Sequence, residues 1–201
     1  MYIPKHFAVS DPAWIGAFIE ENRFAPLVTV MDGEPFATHL PLVYDPQPQP
    51  YGILRGHVAR ANPHWQSFGT SMQLAIFTGP HAYVSPTWYG TAGPSVPTWN
   101  YTAVHVYGHA TIVDDPAAVR DLLVRLTDRE ERALTPRYTV DAQDPDYLAH
   151  MMRQIVAFEI PVERIEAKAK LSQNRTPEER RRVAATLGGD LQTLMEKFSP
   201  S

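Results

Sequence analysis

Val96-Pro97-Thr98-Trp99-Asn100-Tyr101 is the stretch that decides the interpretation of this sequence. It follows closely on a second aromatic segment, Tyr83-Val84-Ser85-Pro86-Thr87-Trp88-Tyr89. A Gly/Pro loop, Gly90 to Pro97, separates the two aromatic segments. A core strand would place an apolar residue at every second position, whereas this stretch alternates flat rings with hydrogen-bonding groups. That pattern suits a planar ligand with a polar edge, or a partner surface. A strand-loop-strand corner whose aromatics fill the core is the alternative, and the residues alone leave both open.

The composition is that of an ordinary globular protein. The chain has 201 residues, of which 44% are hydrophobic and 20% charged, enough for one well-cored domain. It has no cysteine, which excludes disulfides and thiolate metal sites. The N-terminus has no apolar signal-peptide region, and no apolar run approaches membrane-spanning length. We therefore expect a cytoplasmic protein with no membrane partner.

The charge pattern gives little support to nucleic-acid binding. The net charge is −4, whereas nucleic-acid binders usually carry a strong basic excess. The basic cluster consists of Arg175 and Arg180 to Arg182, and Glu178 and Glu179 interrupt it. A solvated helix face accounts for this cluster better than a DNA contact does.

Proline marks the predicted helix starts. A capping side chain accepts an unpaired backbone N–H, and proline at the first helical position loses no hydrogen bond. Thr176 with Glu179 adds a capping box, and Gly188-Gly189 is expected to end that helix. The predicted starts are Asp11-Pro12, Asn62-Pro63, Asp115-Pro116, Asp144-Pro145 and Thr176-Pro177.

Between the helices the chain has the pattern of about seven strands. The turn Asp32-Gly33-Glu34 joins the first two in a hairpin. Short, closely spaced strands with inserted and terminal helices predict a mainly β, α+β fold built on an antiparallel barrel. We predict one domain over residues 1–175, with a C-terminal helical tail, 176–201, packed on it. The predicted strands are 27–31, 36–44, 51–60, 73–78, 81–85, 100–113 and 157–170.

Motifs of common catalytic and metal sites are absent from the sequence. The eight histidines show no metal-binding spacing on a helix, and His105 and His109 instead share one face of a strand with Tyr107. No phosphate loop, dinucleotide fingerprint or Gly-x-Ser-x-Gly elbow occurs. We therefore expect no metal site, and the catalytic residues, if any, stay unidentified.

Two other segments are candidates for binding an anion or a heterocycle. Gly56 to Trp65 runs from a strand end into a capped helix start, where Arg60 and the helix N-terminus at Asn62 could hold a phosphate. Upstream, Pro41 interrupts a strand directly after Thr38-His39-Leu40. Because proline in a strand belongs at an edge or bulge, this segment predicts an exposed backbone edge.

A third segment, Lys168-Ala169-Lys170-Leu171-Ser172-Gln173-Asn174-Arg175, joins the last strand to the last helices. Its lysines, arginine and uncharged polar side chains supply many hydrogen-bond donors, which suits a phosphate-bearing or dianionic ligand. An ordinary polar loop has the same composition, so this segment alone decides nothing.

Taken together, the segments resemble the PaiB family of FMN-binding negative transcriptional regulators. The resemblance rests on motifs that occur in order over nearly the whole chain. They are Met1-Tyr2-x-Pro4-x-x-Phe7, Thr38-His39-Leu40-Pro41, Gly56-His57-x-Ala59-x-Ala61-Asn62-Pro63-x-Trp65, Tyr83-x-Ser85-Pro86-x-Trp88-Tyr89, Val96-Pro97-Thr98-Trp99-Asn100-Tyr101-x-x-Val104-His105 and Lys170-Leu171-Ser172-Gln173-Asn174-Arg175.

The resemblance implies an FMN-binding split barrel that works as a homodimer, with ligand sites at the subunit interface. Pyridoxamine-phosphate oxidases and related flavin reductases are similar in fold. The regulatory name comes from genetic effects on protease production and sporulation and does not itself show DNA contact. The cofactor-binding residues expected on this basis are Thr38, His39, Leu40, His57, Ala59, Arg60, Asn62, Trp88, Tyr89, Thr98, Trp99, Asn100, Lys170, Gln173 and Arg175.

Four functions remain open at this point. The first is an FMN-binding dimer acting in transcriptional or metabolic regulation, and the second is an FMN-dependent oxidoreductase, because the cofactor itself carries the chemistry. The third is a haem-binding split barrel that uses a spare histidine. The fourth is a direct DNA binder, whose support is the helix pair Thr176 to Phe198, although in its second helix only Gln192 and Lys197 are of the type that reads bases.

Overall fold

The computed structural model describes residues 1–90 and 93–198. Part of the predicted Gly90 to Pro97 loop and the end of the predicted tail lie outside these residues. Within them the strands are β1 (Ala8–Val9), β2 (Phe24–Met31), β3 (Glu34–Pro41), β4 (Val43–Asp45), β5 (Ile53–Ala59), β6 (Met72–Val84), β7 (Thr98–His109), β8 (Thr111–Val113), β9 (Ile155–Pro161) and β10 (Arg164–Lys170).

The helices begin at proline, as the sequence predicts. They are α1 (Pro12–Glu21), α2 (Pro116–Glu131), α3 (Pro145–Met152), α4 (Pro177–Leu187) and, after the glycine pair, α5 (Gly189–Lys197). Four 3-10 helices cover Lys5–Phe7, Pro63–Ser67, Pro86–Tyr89 and Val140–Ala142. The capping box of α4 is present: Thr176 Oγ1 accepts from the Glu179 backbone, and Glu179 accepts in return. Gly188, with φ of +64°, ends α4 in a conformation that favours glycine.

The strands form two antiparallel sheets. The six-stranded sheet has the order β1-β10-β7-β6-β2-β3, and the four-stranded sheet has the order β4-β5-β9-β8. The predicted hairpin is confirmed, with Leu27 opposite Thr38 and Met31 opposite Glu34. β3 lies at an edge and ends at Pro41, which confirms the edge position predicted from that proline.

Three predicted strands prove to be two strands each. The predicted strand 36–44 divides at buried Leu42, and the predicted strand 100–113 divides at buried Ala110. The predicted strand 157–170 divides between Pro161 and Arg164. In each case the second part joins the other sheet. At most two residues separate the two parts in each case, so the sequence pattern does not show the change of sheet. The reverse error also occurs: 73–78 and 81–85 are one strand, β6.

Gly79 explains why β6 continues through the predicted break. A Cβ atom at this position would lie 2.5 Å from Thr102 Oγ1 and 2.6 Å from Phe18 Cε2. Glycine here therefore allows close approach of neighbouring side chains rather than marking a turn.

The chain forms two compact units. The first, here unit 1, comprises residues 1–18, 78–105 and 166–201, and unit 2 comprises 19–77 and 106–165. The boundary predicted at residue 175 stays a prediction. The unit 1 core joins Val84, Tyr89, Ala169 and Leu171 to Val183, Ala184, Leu191 and Met195 of the last two helices. The unit 2 core includes fully buried Leu27, Leu42, Leu54, Phe77 and Phe158.

Candidate functional site

Arg60 follows β5 in unit 2 and is held in place by backbone oxygens. Its Nε donates to the carbonyl of Arg153 at 2.7 Å, and its Nη2 donates to the carbonyl of Ile155 at 2.8 Å. A guanidinium has five N–H donors, so three of them remain for another partner. Arg60 forms no ion pair within residues 1–90 and 93–198. The side chain is therefore a fixed cation whose charge is not neutralised by a carboxylate of the described part of the chain.

The segment after Arg60 differs from the expected helix start. Pro63–Ser67 is a five-residue 3-10 helix, too short to provide an anion site at its N-terminus. Asn62 Oδ1 accepts from the His64 backbone N–H at 3.0 Å, and Asn62 Nδ2 donates to Thr38 Oγ1 at 3.0 Å. The expected α-helix start is thus a capped 3-10 helix, and a contact between Asn62 and the phosphate stays a prediction.

Thr38 and Asn62 belong to a polar network in unit 2 that the sequence did not reveal. Thr38 Oγ1 lies 2.9 Å from His64 Nδ1, and His64 Nε2 lies 2.9 Å from Gln73 Oε1. Gln73 Nε2 donates in turn to Ser67 Oγ at 3.1 Å. His64 and Gln73 are fully buried, and burial lowers the pKa of His64. The network fixes the loop before β6, and Thr38, which joins it from 24 residues before Asn62, shows why no single local motif marks it.

The remaining predicted residues of unit 2 differ in accessibility. His39 is exposed on the edge strand β3, with its ring 6.4 Å from that of Phe24, whereas the Leu40 side chain is 4% exposed and lies in the core. Only the backbone of Leu40 is thus available to a ligand. Ala59 is exposed at the end of β5. His57 is half-buried, burial lowers its pKa, and its Nδ1 is buried without a partner among the described residues.

A cavity of about 680 Å³ opens beside Arg60, within unit 2, which is a suitable volume for a small-molecule ligand. Apolar side chains from β8, β9, α2 and α3 line most of it, including Val113, Val119, Met152 and Ile155. Ala157, directly opposite His57 in the β5–β9 ladder, also lines the cavity. The arginine and the cavity together offer an anion contact next to an apolar wall.

Unit 1 brings three other predicted residues into contact. Lys170 Nζ donates to Thr98 Oγ1 and, at 2.6 Å, to the carbonyl of Trp99. Burial, and then the charge of Lys168, lower the pKa of Lys170. The side chain of Lys170 therefore fixes the start of β7 and holds Trp99 in position.

Two predicted site residues, Asn100 and Tyr89, lie in the core, and their role as ligand contacts stays a prediction. Asn100 is fully buried, where its Oδ1 accepts from Ser172 Oγ at 3.0 Å and its Nδ2 lies 3.5 Å from Met195 Sδ. Tyr89 is 1% exposed and packs in the unit 1 core. Both are expected site residues on the basis of the family resemblance, and the sequence does not show which way each side chain points.

Gln173 and Arg175 are also engaged within unit 1. Gln173 accepts from the Leu171 N–H at 2.7 Å and donates to the Ala169 carbonyl at 2.6 Å, so its amide closes a turn of its own loop. The Arg175 guanidinium carbon lies 4.2 Å from the centre of the Tyr89 ring, a cation–π contact. Gln173 has a structural role, whereas Arg175 keeps hydrogen-bond donors at the surface.

Exposed Tyr83, Val96 and Trp99 of unit 1, together with half-buried Trp88, which packs against the unit 1 core, form what we call the aromatic surface. Trp99 is 53% exposed and Val96 71% exposed. The ring centres of Tyr83 lie 6.1 Å from Trp99 and 6.4 Å from Trp88, with the rings near perpendicular in both pairs. This stretch thus divides between core and surface, because Asn100 and Tyr89 lie in the core while Trp99 is exposed. The role of the exposed part in binding a ligand or a partner stays a prediction.

Residues 1–90 and 93–198 contain no cluster of three or more His, Asp or Glu side chains that could hold a metal ion. Within the same ranges no helix is long and apolar enough to cross a membrane. The alternation predicted for β7 is confirmed: Val104, Val106 and Gly108 are buried, and His105, Tyr107 and His109 are not.

The chain matches, over residues 1–164, the family described as "Putative FMN-binding domain", and it belongs to that family. The family predicted from the ordered motifs is thereby confirmed. A curated relative from Bacillus subtilis, "Protease synthase and sporulation protein PAI 2", is 42% identical over 176 residues, covering 87% of this chain and 83% of the relative.

Solved structures of flavoproteins share the fold. The FAD and heme binding protein from Mycobacterium smegmatis has a TM-score of 0.61 at 16% identity, with 90% of this chain and 80% of that chain covered. The flavocytochrome Anf3 from Azotobacter vinelandii has a TM-score of 0.60 at 15% identity, with 87% and 73% covered. These likenesses confirm the expected α+β fold of the flavin-binding split-barrel type.

The family match identifies FMN as the cofactor of this chain, as predicted. FMN has a phosphate, a flat ring system and a polar ring edge. The structure supplies groups of matching chemistry: Arg60 is a fixed cation without an ion pair in the described part of the chain, and His39 and the backbone edge of β3 can hydrogen-bond a heterocycle. The residues present therefore fit the cofactor. When bound, FMN supplies the capacity for electron transfer.

Proposed function

We propose that this chain is a cytoplasmic homodimer that uses bound FMN in transcriptional or metabolic regulation, as the name of its Bacillus subtilis relative suggests. The observation that carries the proposal is Arg60, a cation held by two carbonyl oxygens beside a cavity of ligand size. Its position, after β5 and within the region matched by the family, supports a role in FMN binding.

In this proposal the Arg60 guanidinium binds the FMN phosphate. Hydrogen bonds between ions of opposite charge are the strong ones, and arginine binds phosphate with two parallel N–H groups. The carbonyls of Arg153 and Ile155 already hold the side chain, so little rotamer freedom is lost on binding. Further FMN contacts remain part of the proposal. The residues proposed for them are His39, His57 and Ala59 in unit 2, and Trp88, Thr98, Trp99, Lys170 and Arg175 in unit 1.

The aromatic surface supports the homodimer. Exposed patches that combine large rings with aliphatic side chains usually mark an interaction site, and aromatic residues are enriched in interface cores. The second copy would cover Trp99 and Val96, two of the most exposed apolar residues of unit 1. Lys170 supports this role, because its bond to the Trp99 carbonyl fixes the backbone below the exposed indole.

Regulation would act through the flavin or a protein partner and not through strong DNA binding. In the arginine cluster of α4, Arg180 is 6% exposed and donates to the carbonyls of Met195 and Phe198. Arg182 donates to Glu178 at 2.6 Å and to the Tyr89 carbonyl at 3.0 Å. Two of the three arginines thus serve the fold, which leaves a weak basis for phosphate contacts along a duplex.

An absorbance spectrum of the purified protein, followed by a titration with FMN, tests the cofactor. Flavin bands or saturable FMN binding are expected. A Soret band would indicate haem instead. A protein that shows neither band and does not bind added FMN would contradict the proposal. Addition of NADH to the FMN complex separates regulation from catalysis, because continuous turnover would indicate an oxidoreductase.

A further inference from the structure

Arg180 is a buried cation whose counter-ion is missing among the described residues. It lies on α4, is 6% exposed, and has two polar partners, the carbonyl oxygens of Met195 at 2.7 Å and Phe198 at 3.3 Å. Its Nε is buried and has no hydrogen-bond partner among residues 1–90 and 93–198. Buried charges in proteins are normally paired, because transfer of an unpaired ion out of water is costly.

A cavity of about 690 Å³ adjoins Arg180 within unit 1, and its volume suits a small organic ligand. Two more arginines line it. Arg175 lies over the Tyr89 ring and is 3.5 Å from Ser95 Oγ, while Arg181 is exposed and makes no hydrogen bond or ion pair within the described ranges. The other lining residues are Pro177, Ala184, Gln192, Met195 and Glu196.

The acidic groups nearby do not neutralise this charge. Among residues 1–90 and 93–198, Glu196 is the one carboxylate in the lining, where it accepts from Gln192 Nε2 at 2.9 Å, so three guanidinium groups face one carboxylate there. Glu178 is paired with Arg182, and the Glu179 carboxylate accepts from the Thr176 N–H at 3.0 Å as part of the capping box. The excess of positive charge in the cavity matches a dianion.

We infer that this cavity binds the phosphate group of a small organic molecule, at a site separate from the FMN phosphate contact proposed for Arg60. Arginine forks recognise phosphate with paired hydrogen bonds, which favours phosphate over a single carboxylate. Pro177, Ala184 and Met195 supply apolar contacts for the organic part. Burial lowers the pKa of Arg180, and a bound anion would relieve this penalty.

Calorimetric titration of the full chain with inorganic phosphate tests the site. Arg181→Gln is the informative variant, because Arg181 is exposed and its loss leaves the packing intact. We expect about a tenfold weaker phosphate affinity for this variant. Arg132→Gln is the matched control, since it removes an exposed arginine of unit 2 that is not among the residues lining the cavity, and it should leave the affinity unchanged.

Absence of phosphate binding up to about 10 mM, or an equal loss of affinity in Arg181→Gln and Arg132→Gln, would overturn the inference.

A repeat of the titration on FMN-saturated protein identifies the source of the phosphate. Retained binding indicates a second phosphorylated ligand, which is the expected result. Blocked binding would show that FMN itself fills the cavity and would overturn the separation of the two sites. Flavin absorbance reports FMN binding independently, so failure of this site leaves the proposed function standing.

Discussion

Arg60 Nε lies 2.7 Å from the carbonyl oxygen of Arg153, and this contact ties the end of β5 to the turn that follows α3. The two residues are 93 positions apart in sequence. The contact converts a surface arginine into a cation of fixed position, which is the property that a phosphate-binding residue needs.

Replacement of Arg60 tests that role. Arg60→Ala removes a charge-assisted contact worth about 1.5–3 kcal/mol, so FMN affinity should fall by roughly tenfold to a hundredfold. Fluorescence titration with FMN measures the change. Arg120→Gln is the control, because Arg120 lines the same cavity but is ion-paired with Asp141, and it should keep the affinity of the unmodified protein. An unchanged affinity in Arg60→Ala would show that another residue binds the phosphate.

The role of the aromatic surface as the dimer interface can be tested by introducing a charged side chain into it. If a second copy covers Trp99, Trp99→Lys buries an unpaired ammonium in the interface and should shift the protein from about twice to about once the chain mass. The chain mass is 22.6 kDa, so light scattering resolves the two states readily. Tyr147→Lys, at a tyrosine of α3 that is 55% exposed, is the matched control and should stay dimeric. A monomeric unmodified protein would refute the homodimer.

Acidification should destabilise the fold through two histidines. Burial lowers the pKa of both His57 and His64 below the ordinary value of 6.5. At a pH between the folded pKa values and 6.5, the unfolded chain therefore binds more protons than the folded chain. Stability therefore rises with pH through this window and falls as the pH drops below about 6.5, by at most about 1.4 kcal/mol per pH unit for each histidine.

Denaturant unfolding between pH 5 and pH 8 measures this effect. His64→Gln keeps a donor toward Gln73 but does not titrate, so its stability should depend less steeply on pH even if it is lower throughout. His150→Gln, at an exposed position of α3, should retain the slope of the unmodified protein. Identical slopes in the His64 variant and the unmodified protein would show that His64 does not contribute.

DNA binding should be weak and non-specific. In a mobility-shift experiment at physiological salt, we expect no submicromolar binding to random or promoter DNA, because the phosphate backbone demands a coherent basic surface. Submicromolar binding that is lost in Arg181→Gln would make α4 a DNA contact. Arg181 is the informative position, since Arg180 is buried and Arg182 is ion-paired, and their replacement would also disturb the fold.

Much of the fold and the cofactor could be predicted from the sequence, because these depend on local chemistry and on ordered motifs. Proline after a capping residue marked the starts of four α-helices, and the edge position of β3 followed from Pro41. FMN followed from motifs distributed over the chain, and the family match confirms it. These signals are readable because each depends on a few neighbouring residues.

Only the tertiary structure decided the directions of side chains and the strand breaks. The sequence could not show that Asn100 is buried while Trp99 is exposed, that the helix capped by Asn62 is a 3-10 helix, or that Asn62 bonds to Thr38. It also gave no sign of the His64–Gln73 pair, or of the two carbonyls that hold Arg60. These relationships join residues that are distant in the chain or depend on the twist and pairing of strands. A side chain's partners are therefore set by packing, which no local pattern encodes.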